Sequence, residues 1–307
     1  MNIDNKITVQ EEWDKVIRSD EKKPRADIRR IWDYRDLIVL LVKRDFIIYY
    51  KQTILGPLWY LIQPILSTVI YIVLFGRLAQ MGTDSIPQTL FYFSGTMLWT
   101  FFSSTLTEVS NVFMNNKGIF SKVYFPRIVV PIASMCNLLI KFSIQMGLFS
   151  IMYVIYIING INVGASARII LFPISVLWAG ILACALGMIV SSVTTKYKDI
   201  ALALNFLISL FMYATPVVYP LSQVPSEWLG IFCINPVCVP MELFRYCFFG
   251  KSSLPIWAIV YSFIISVTLF GLGLKVFNKN EKVFVDVIYG NHNVKYCFKM
   301  RKCFKIL

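Results

Sequence analysis

Apolar residues in this chain fall in long runs, and the polar positions that separate them are bunched. Residues 58–78, 90–112, 132–158, 169–193, 200–218 and 256–276 each reach or approach the length needed to span a bilayer. That length is roughly 20 mostly apolar residues, enough for a helix to cross about 30 Å of hydrocarbon. Alternation of apolar and polar positions is missing, which argues against a β-barrel. The pattern predicts an all-α polytopic membrane protein with six transmembrane helices. A shorter apolar run, 228–241, is flanked by Pro225 and Pro240 and contains Asn235-Pro236. It is too short to cross, and predicts a re-entrant segment between spans 5 and 6.

The polar pattern changes at Gly56-Pro57. The first 57 residues hold 12 Lys/Arg and 10 Asp/Glu, whereas residues 58–274 hold only 10 and 5. Residues 1–57 therefore read as a cytoplasmic arm, 58–276 as a six-span domain and 277–307 as a basic cytoplasmic tail. Within the arm, residues 28–52 combine an apolar stripe (Ile31, Leu37, Leu41) with Arg30, Arg35, Lys43, Arg44 and Lys51. Such a helix lies in the membrane interface with its cations among the headgroups. Pro57 suits the first turn of the helix that follows, where its missing N–H would be unpaired anyway.

Composition agrees with this reading: 57% of the 307 residues are hydrophobic and 15% charged, too apolar for a soluble domain of this length. With the N-terminus inside, 25 of the 30 Lys/Arg fall on the inner side. Arg77, Arg168, Arg245 and Lys251 fall outside, and Lys141 lies within a span. This bias predicts a multi-pass protein of the plasma (inner) membrane with both termini cytoplasmic. Anionic lipid at the inner leaflet then accounts for the net charge of +13 without any nucleic acid. No secretory signal peptide is visible, and the first span serves as the insertion signal.

Candidate chemistry is sparse. The only histidine, His292, stands in the tail, and no acid, base or nucleophile set converges, so no catalytic residue and no metal site is predicted. Gly250-Lys251-Ser252 looks like the end of a phosphate-binding loop. That motif needs a glycine where Arg245 stands. The seven cysteines are odd in number. Cys233, Cys238 and Cys247 read as small apolar fillers, with one bridge among them as the other reading. Glu108 and Lys141 are intramembrane charges, each costing roughly 2.5 to 3.5 kcal/mol if left alone. They should meet a partner or water, as an ion pair between adjacent helices or as lining of a conduit. Glu242 and Arg245 stand i, i+3 and are placed to pair.

Several short motifs then form an ordered series: Arg44-Asp45, Tyr50-Lys51-Gln52, Leu55-Gly56-Pro57-Leu58-Trp59, Gln63-Pro64 and Phe75-Gly76-Arg77. It continues in Lys122-Val123-Tyr124-Phe125-Pro126-Arg127, Tyr197-Lys198-Asp199-Ile200, Thr215-Pro216-Val217-Val218-Tyr219-Pro220 and Asn235-Pro236, with Arg245 following. In this order and spacing the chain resembles the membrane (permease) subunits of type 2 ABC exporters for cell-surface polysaccharides. That family exports O-antigen, capsule and teichoic acid.

The resemblance implies a transport subunit rather than an enzyme. It implies a homodimer, a separate cytoplasmic ATP-binding subunit that carries ATP and magnesium, and a conduit for a lipid-linked glycan at the dimer interface. This chain itself would bind no cofactor. Two elements are placed to receive the ATPase: the arm, through Arg35, Arg44 and Lys51, and the loop 115–127. In that loop Phe120, Val123 and Tyr124 share a helical face beside Lys117, Lys122 and Arg127. A helix docking in a groove and a helix lying on lipid both fit that pattern.

A conduit for a long polymer needs weak, repeated contacts, which aromatic faces provide. Conduit candidates are Trp59, Tyr60, Gln63, Tyr71 and Phe75 on the first span, with Phe211, Tyr213 and Tyr219 on or just after the fifth. Other readings are a membrane-embedded enzyme acting on lipid-linked sugars, a secondary transporter, or an exporter of another lipid or drug. The Leu-Gly-Pro-Leu-Trp and Phe-Pro-Arg matches favour polysaccharide.

Overall fold

The computed structural model describes residues 32–52, 55–120, 125–161, 163–164, 167–195, 197, 199–251 and 254–290. Among them there are eleven α-helices and no strand. The arm helix α1 (Arg35–Gln52) leads through a 3-10 turn, Gly56–Leu58, into α2 (Trp59–Tyr71), which runs on as a π-helix over Ile72–Leu78. Then follow α3 (Gln88–Ser110), the short α4 (Val112–Asn115) and α5 (Lys117–Phe120), α6 (Val129–Ile158) and α7 (Phe172–Thr194). The remaining helices are α8 (Asp199–Tyr213), α9 (Ser226–Ile234), α10 (Cys238–Phe249) and α11 (Ile256–Gly290). The predicted arm before Trp32 and the tail beyond Gly290 lie outside the described residues.

Four stretches are long and apolar enough to cross a membrane: Trp59–Leu78, Val129–Ile158, Ala167–Thr194 and Ile256–Lys279. The protein is thus a multi-pass membrane protein. A fifth is counted if α9 and α10, bent by 107° at their junction, are taken as one. The two other predicted spans depart from the simple apolar rod for different reasons.

α3 is rich in hydroxyls, but 16 of its 23 residues are buried in protein. It sits at the centre of the bundle, packed on α2, α6 and α7, so its side chains face protein rather than lipid. Its hydroxyls return to their own backbone, Thr96 to the Tyr92 carbonyl (2.6 Å) and Thr105 to that of Phe101 (2.7 Å). α8 has 15 residues, about 22 Å at 1.5 Å per residue, and stops before Pro216.

Around α3 the main core is aromatic: Phe93, Phe149, Phe244 and Phe248 are buried side by side. α7 and α11 approach closely. A Cβ on Gly273 would lie 2.8 Å from the Ala185 carbonyl oxygen, so only glycine allows this contact. The chain enters α2 and leaves α11 at the same end of the bundle. There Thr194 at the end of α7 donates to the Ser110 carbonyl at the end of α3 (2.6 Å). At the far end, Ser222 donates to the Asp84 carboxylate (2.6 Å), and the Lys251 amine donates to the Asp84 carbonyl.

The break after α8 is held chiefly by Arg245, with help from Asn235. Beyond Tyr213 the helix is lost, and the carbonyls of Pro216 and Val217 have no helical donor. Arg245 of α10, 2% exposed, donates Nη1 to Pro216 (2.5 Å) and Nη2 to Val217 (2.6 Å). Its charge is balanced by Glu242 at 3.2 Å, and its guanidinium lies 3.9 Å from the Phe91 ring centroid. A Cβ on Gly95 would lie 2.5 Å from the Val217 carbonyl oxygen and 2.8 Å from Nη2, so glycine there makes the room. Asn235, at the α9–α10 bend, adds bonds to the Ala214 carbonyl (3.1 Å) and the Thr215 hydroxyl (2.9 Å). The predicted i, i+3 pair thus exists, and Arg245 also donates beyond it. The five described cysteines are free thiols, Cys233, Cys238 and Cys247 among the buried filler.

Replacing Arg245 by Met strands Glu242 and two carbonyls, at a cost of roughly 3 to 5 kcal/mol. Thermal unfolding in detergent should show a large loss for Arg245→Met. The double variant Arg245→Met/Glu242→Leu should recover part of it. Equal losses in the two would mean that Glu242 is not held as a buried charge.

Candidate functional site

α2 carries Pro64 inside the helix. A proline has no N–H to give to the carbonyl four residues earlier, here that of Tyr60. In a bilayer no solvent replaces that donor, so another chain segment has to. Gln145 of α6, 5% exposed, does so: its Nε2 donates to the Tyr60 carbonyl at 3.0 Å. The Thr68 hydroxyl in turn donates to the Pro64 carbonyl at 2.7 Å.

Beside this bond lies a cavity of about 270 Å³ between α2, α3 and α6. Thr100, Ser104 and Glu108 stand four residues apart and line it from one face of α3. Leu138, Lys141, Phe142 and Gln145 line it from one face of α6, and Trp59, Tyr60 and Gln63 from α2. Lys141 Nζ lies 3.9 Å from Glu108 Oε1 and 5.1 Å from the centroid of the Tyr60 ring. A hydrogen-bonded ion pair closes to about 2.7–2.9 Å, so this one is loose. The two intramembrane charges thus face each other from adjacent helices, and both line this cavity. Three conduit candidates, Trp59, Tyr60 and Gln63, share it with them.

The other conduit candidates gather towards the far end. Tyr71 and Phe75 pack edge to face at 5.9 Å, and the Tyr71 hydroxyl donates to Met212 Sδ of α8 at 3.4 Å. Phe211 lies 6.2 Å from Trp99. Tyr213 is exposed, and its carbonyl accepts from the Tyr219 hydroxyl at 3.0 Å. Phe75 falls in the π-helical stretch, a geometry that recurs at functional sites. The first and fifth predicted spans are thus brought together here, but Trp59 and Tyr71 are about 18 Å apart along α2, so the candidates form two groups.

The coupling candidates lie at the end where α2 begins. α1 packs along α6, with Leu41 buried and Leu37 half-buried against the bundle, while Val39, Leu40, Ile47 and Ile48 are exposed. Arg44 pairs with Asp45 at 2.6 Å and reaches Asn116 Oδ1 at 3.4 Å, tying the arm to the α4–α5 loop. Arg35 is exposed beside Asp36 (3.7 Å), and Lys51 and Lys117 are exposed. Phe120 turns its ring inward, 5.8 Å from both Phe113 and Phe125, with the Arg127 guanidinium 5.4 Å above it. Lys122 and Tyr124 lie outside the described residues.

Sequence reasoning missed Gln145. Its signal was Pro64, because a proline within a span requires a polar donor on a neighbour. Among the described residues no three His, Cys, Asp or Glu converge as metal ligands.

Residues 36–249 match the family model described as ABC-2 type transporter. The chain is 25% identical over 266 residues to the O-antigen export system permease protein RfbA of Myxococcus xanthus, covering 85% of this chain and 98% of that one. A protein of the same name from Klebsiella pneumoniae is 26% identical over 255 residues, covering 82% and 95%. The polysialic acid transport protein KpsM of Escherichia coli is 21% identical over 194 residues, covering 62% and 72%.

Gln145→Leu leaves the Tyr60 carbonyl unpaired and should cost about 1–3 kcal/mol of stability. Adding Pro64→Leu restores the helical N–H, so the double variant should recover most of that loss in thermal unfolding. Losses that merely add would rule out the exchange of donors.

Proposed function

We propose a function from one premise: this chain belongs to the ABC-2 type transporter family. It is the transmembrane subunit of an ATP-driven exporter that moves a lipid-linked polysaccharide across the plasma membrane. The observation that carries this reading is the near end-to-end match to permeases named for O-antigen export. ATP hydrolysis belongs to a separate cytoplasmic subunit, because the one phosphate-loop-like stretch of this chain carries Arg245 at its first glycine position. Arg245 is instead engaged with Glu242 and two carbonyls.

In this reading α2, α3, α6, α7, α8 and α11 are the six spans, with both termini cytoplasmic as the Lys/Arg bias favours. α1 lies along the inner interface. α9 and α10, about 14 and 18 Å long at 1.5 Å per residue, form a re-entrant lid on the outer side. Two copies assemble around a conduit lined by the aromatic residues of α2 and α8. Support comes from the exposed apolar faces of these helices, Leu66, Val69, Ile70 and Val73 on α2 and Leu202, Phe206 and Leu210 on α8. Lys117 and the exposed cations of α1 meet the ATPase. Phe120, held inside the aromatic cluster, passes motion of that loop to the ends of α3 and α11 through Phe113, which stacks on Phe277 at 4.8 Å.

Purification from native membranes should bring down an ATP-hydrolysing subunit near 1:1, and a cysteine placed at Lys117 should cross-link to it. A cysteine at Ala79, by contrast, should react with an impermeant maleimide only from outside. A homogeneous protein with no nucleotide-hydrolysing partner would sink the exporter reading. Labelling of position 79 from the cytoplasm alone would invert the topology.

A further inference from the structure

The cavity between α2, α3 and α6 holds one cation and one anion, and neither is tightly closed on the other. Glu108 is one-third exposed and Lys141 12% exposed at the side chain, so both are reachable. With their charged atoms 3.9 Å apart, a single oxygen can stand about 2.8 Å from each. That oxygen must donate to the carboxylate and accept from the ammonium. A hydroxyl does both, whereas an ionised phosphate oxygen only accepts. A phosphate group would also meet repulsion from Glu108 that opposes the attraction of Lys141 at similar distance. The site thus selects a neutral group able to donate and accept.

The rest of the lining suits the same ligand. Gln63 and Ser104 offer further donor and acceptor positions, and the Trp59 and Tyr60 rings present broad apolar faces. Gln145 holds the Tyr60 backbone in place from a buried position. The 270 Å³ of space is near the lower end of the roughly 300–1,000 Å³ of small-ligand cavities, a size that suits one small ring.

We infer that this cavity is a binding site for a single neutral sugar unit, whose hydroxyls bridge Glu108 and Lys141 while its ring face lies against the aromatic residues of α2. The inference rests on the polysaccharide-export reading and sharpens it, placing one unit of the glycan at a defined point near the end where α2 begins.

The test uses the intact permease with its ATPase in lipid nanodiscs, and saturation-transfer NMR with methyl glucoside and methyl N-acetylglucosaminide as probes. Transfer to at least one glycoside is expected, with no displacement by an equal concentration of inorganic phosphate. Ser104→Trp, which fills the cavity, should abolish it. Glu108→Gln, nearly equal in size, should weaken binding about tenfold by removing a charge-assisted bond, and keeps the test open if the tryptophan variant does not fold. Glycoside signals unchanged in both variants would place binding elsewhere. Phosphate that displaces the glycoside, or binds in its stead with dependence on Lys141, would make this a headgroup site and overturn the inference. Absence of any glycoside signal from a preparation whose cells still export glycan would defeat the cavity and leave the export reading standing. Failure of the ATPase to co-purify would strike the export reading itself.

Discussion

Inside a bilayer a backbone carbonyl that loses its helical donor must be given another by the protein, because water is not there to serve. At three proline-containing stretches of this chain the freed carbonyl is answered by a polar side chain from another element. Pro64 frees the Tyr60 carbonyl, and Gln145 of α6 takes it. The unwound stretch after α8 frees the carbonyls of Pro216 and Val217, and Arg245 of α10 takes both. The Pro236 carbonyl at the α9–α10 bend accepts from Ser262 of α11 at 2.8 Å. The missing helical bond in α2 and the unwound stretch after α8 can persist because of these donors, and the site residues stand beside them.

The same rule explains why the most polar of the predicted spans is the central one. α3 carries hydroxyls that lipid would tolerate poorly, yet its neighbours enclose it and its hydroxyls fold back on its own carbonyls. What is left unpaired on α3 by its own backbone is directed at specific partners: Glu108 towards Lys141, and Gly95 as the recess that admits Arg245. A purely apolar helix at this position would fill the same volume and offer neither.

Much of this was legible in the residues. Run length located the long apolar helices, and the rarity of charge between residues 58 and 274 pointed to Glu108 meeting Lys141 and to Glu242 meeting Arg245. Two features were not legible for physical reasons. Run length marked 90–112 and 200–218 as spans but could not show that protein encloses α3 or that α8 ends at Tyr213. Spacing along one helix shows which residues share a face but not what that face meets. The face of Phe120 therefore read as meeting either a partner's groove or lipid, whereas its ring lies against Phe113 and Phe125. Gln145 stands 85 residues from its acceptor, and only the missing N–H of Pro64 hints that such a donor is needed.

The two ends of the bundle solve opposite problems with similar groups. At the far end Arg245 is nearly sealed from solvent, closed on Glu242 at 3.2 Å, and bonded to two carbonyls, so moving it means stranding several groups at once. At the near end Lys141 and Glu108 stand 3.9 Å apart beside open space. A polar group entering there would meet both charges without first breaking a closed ion pair between them. A chain passing a long polymer needs both: a frame that does not yield, and contacts that form and break readily. The two pairs differ in closure, 3.2 Å for Arg245 with Glu242 against 3.9 Å for Lys141 with Glu108, and in their surroundings, sealed protein against a cavity.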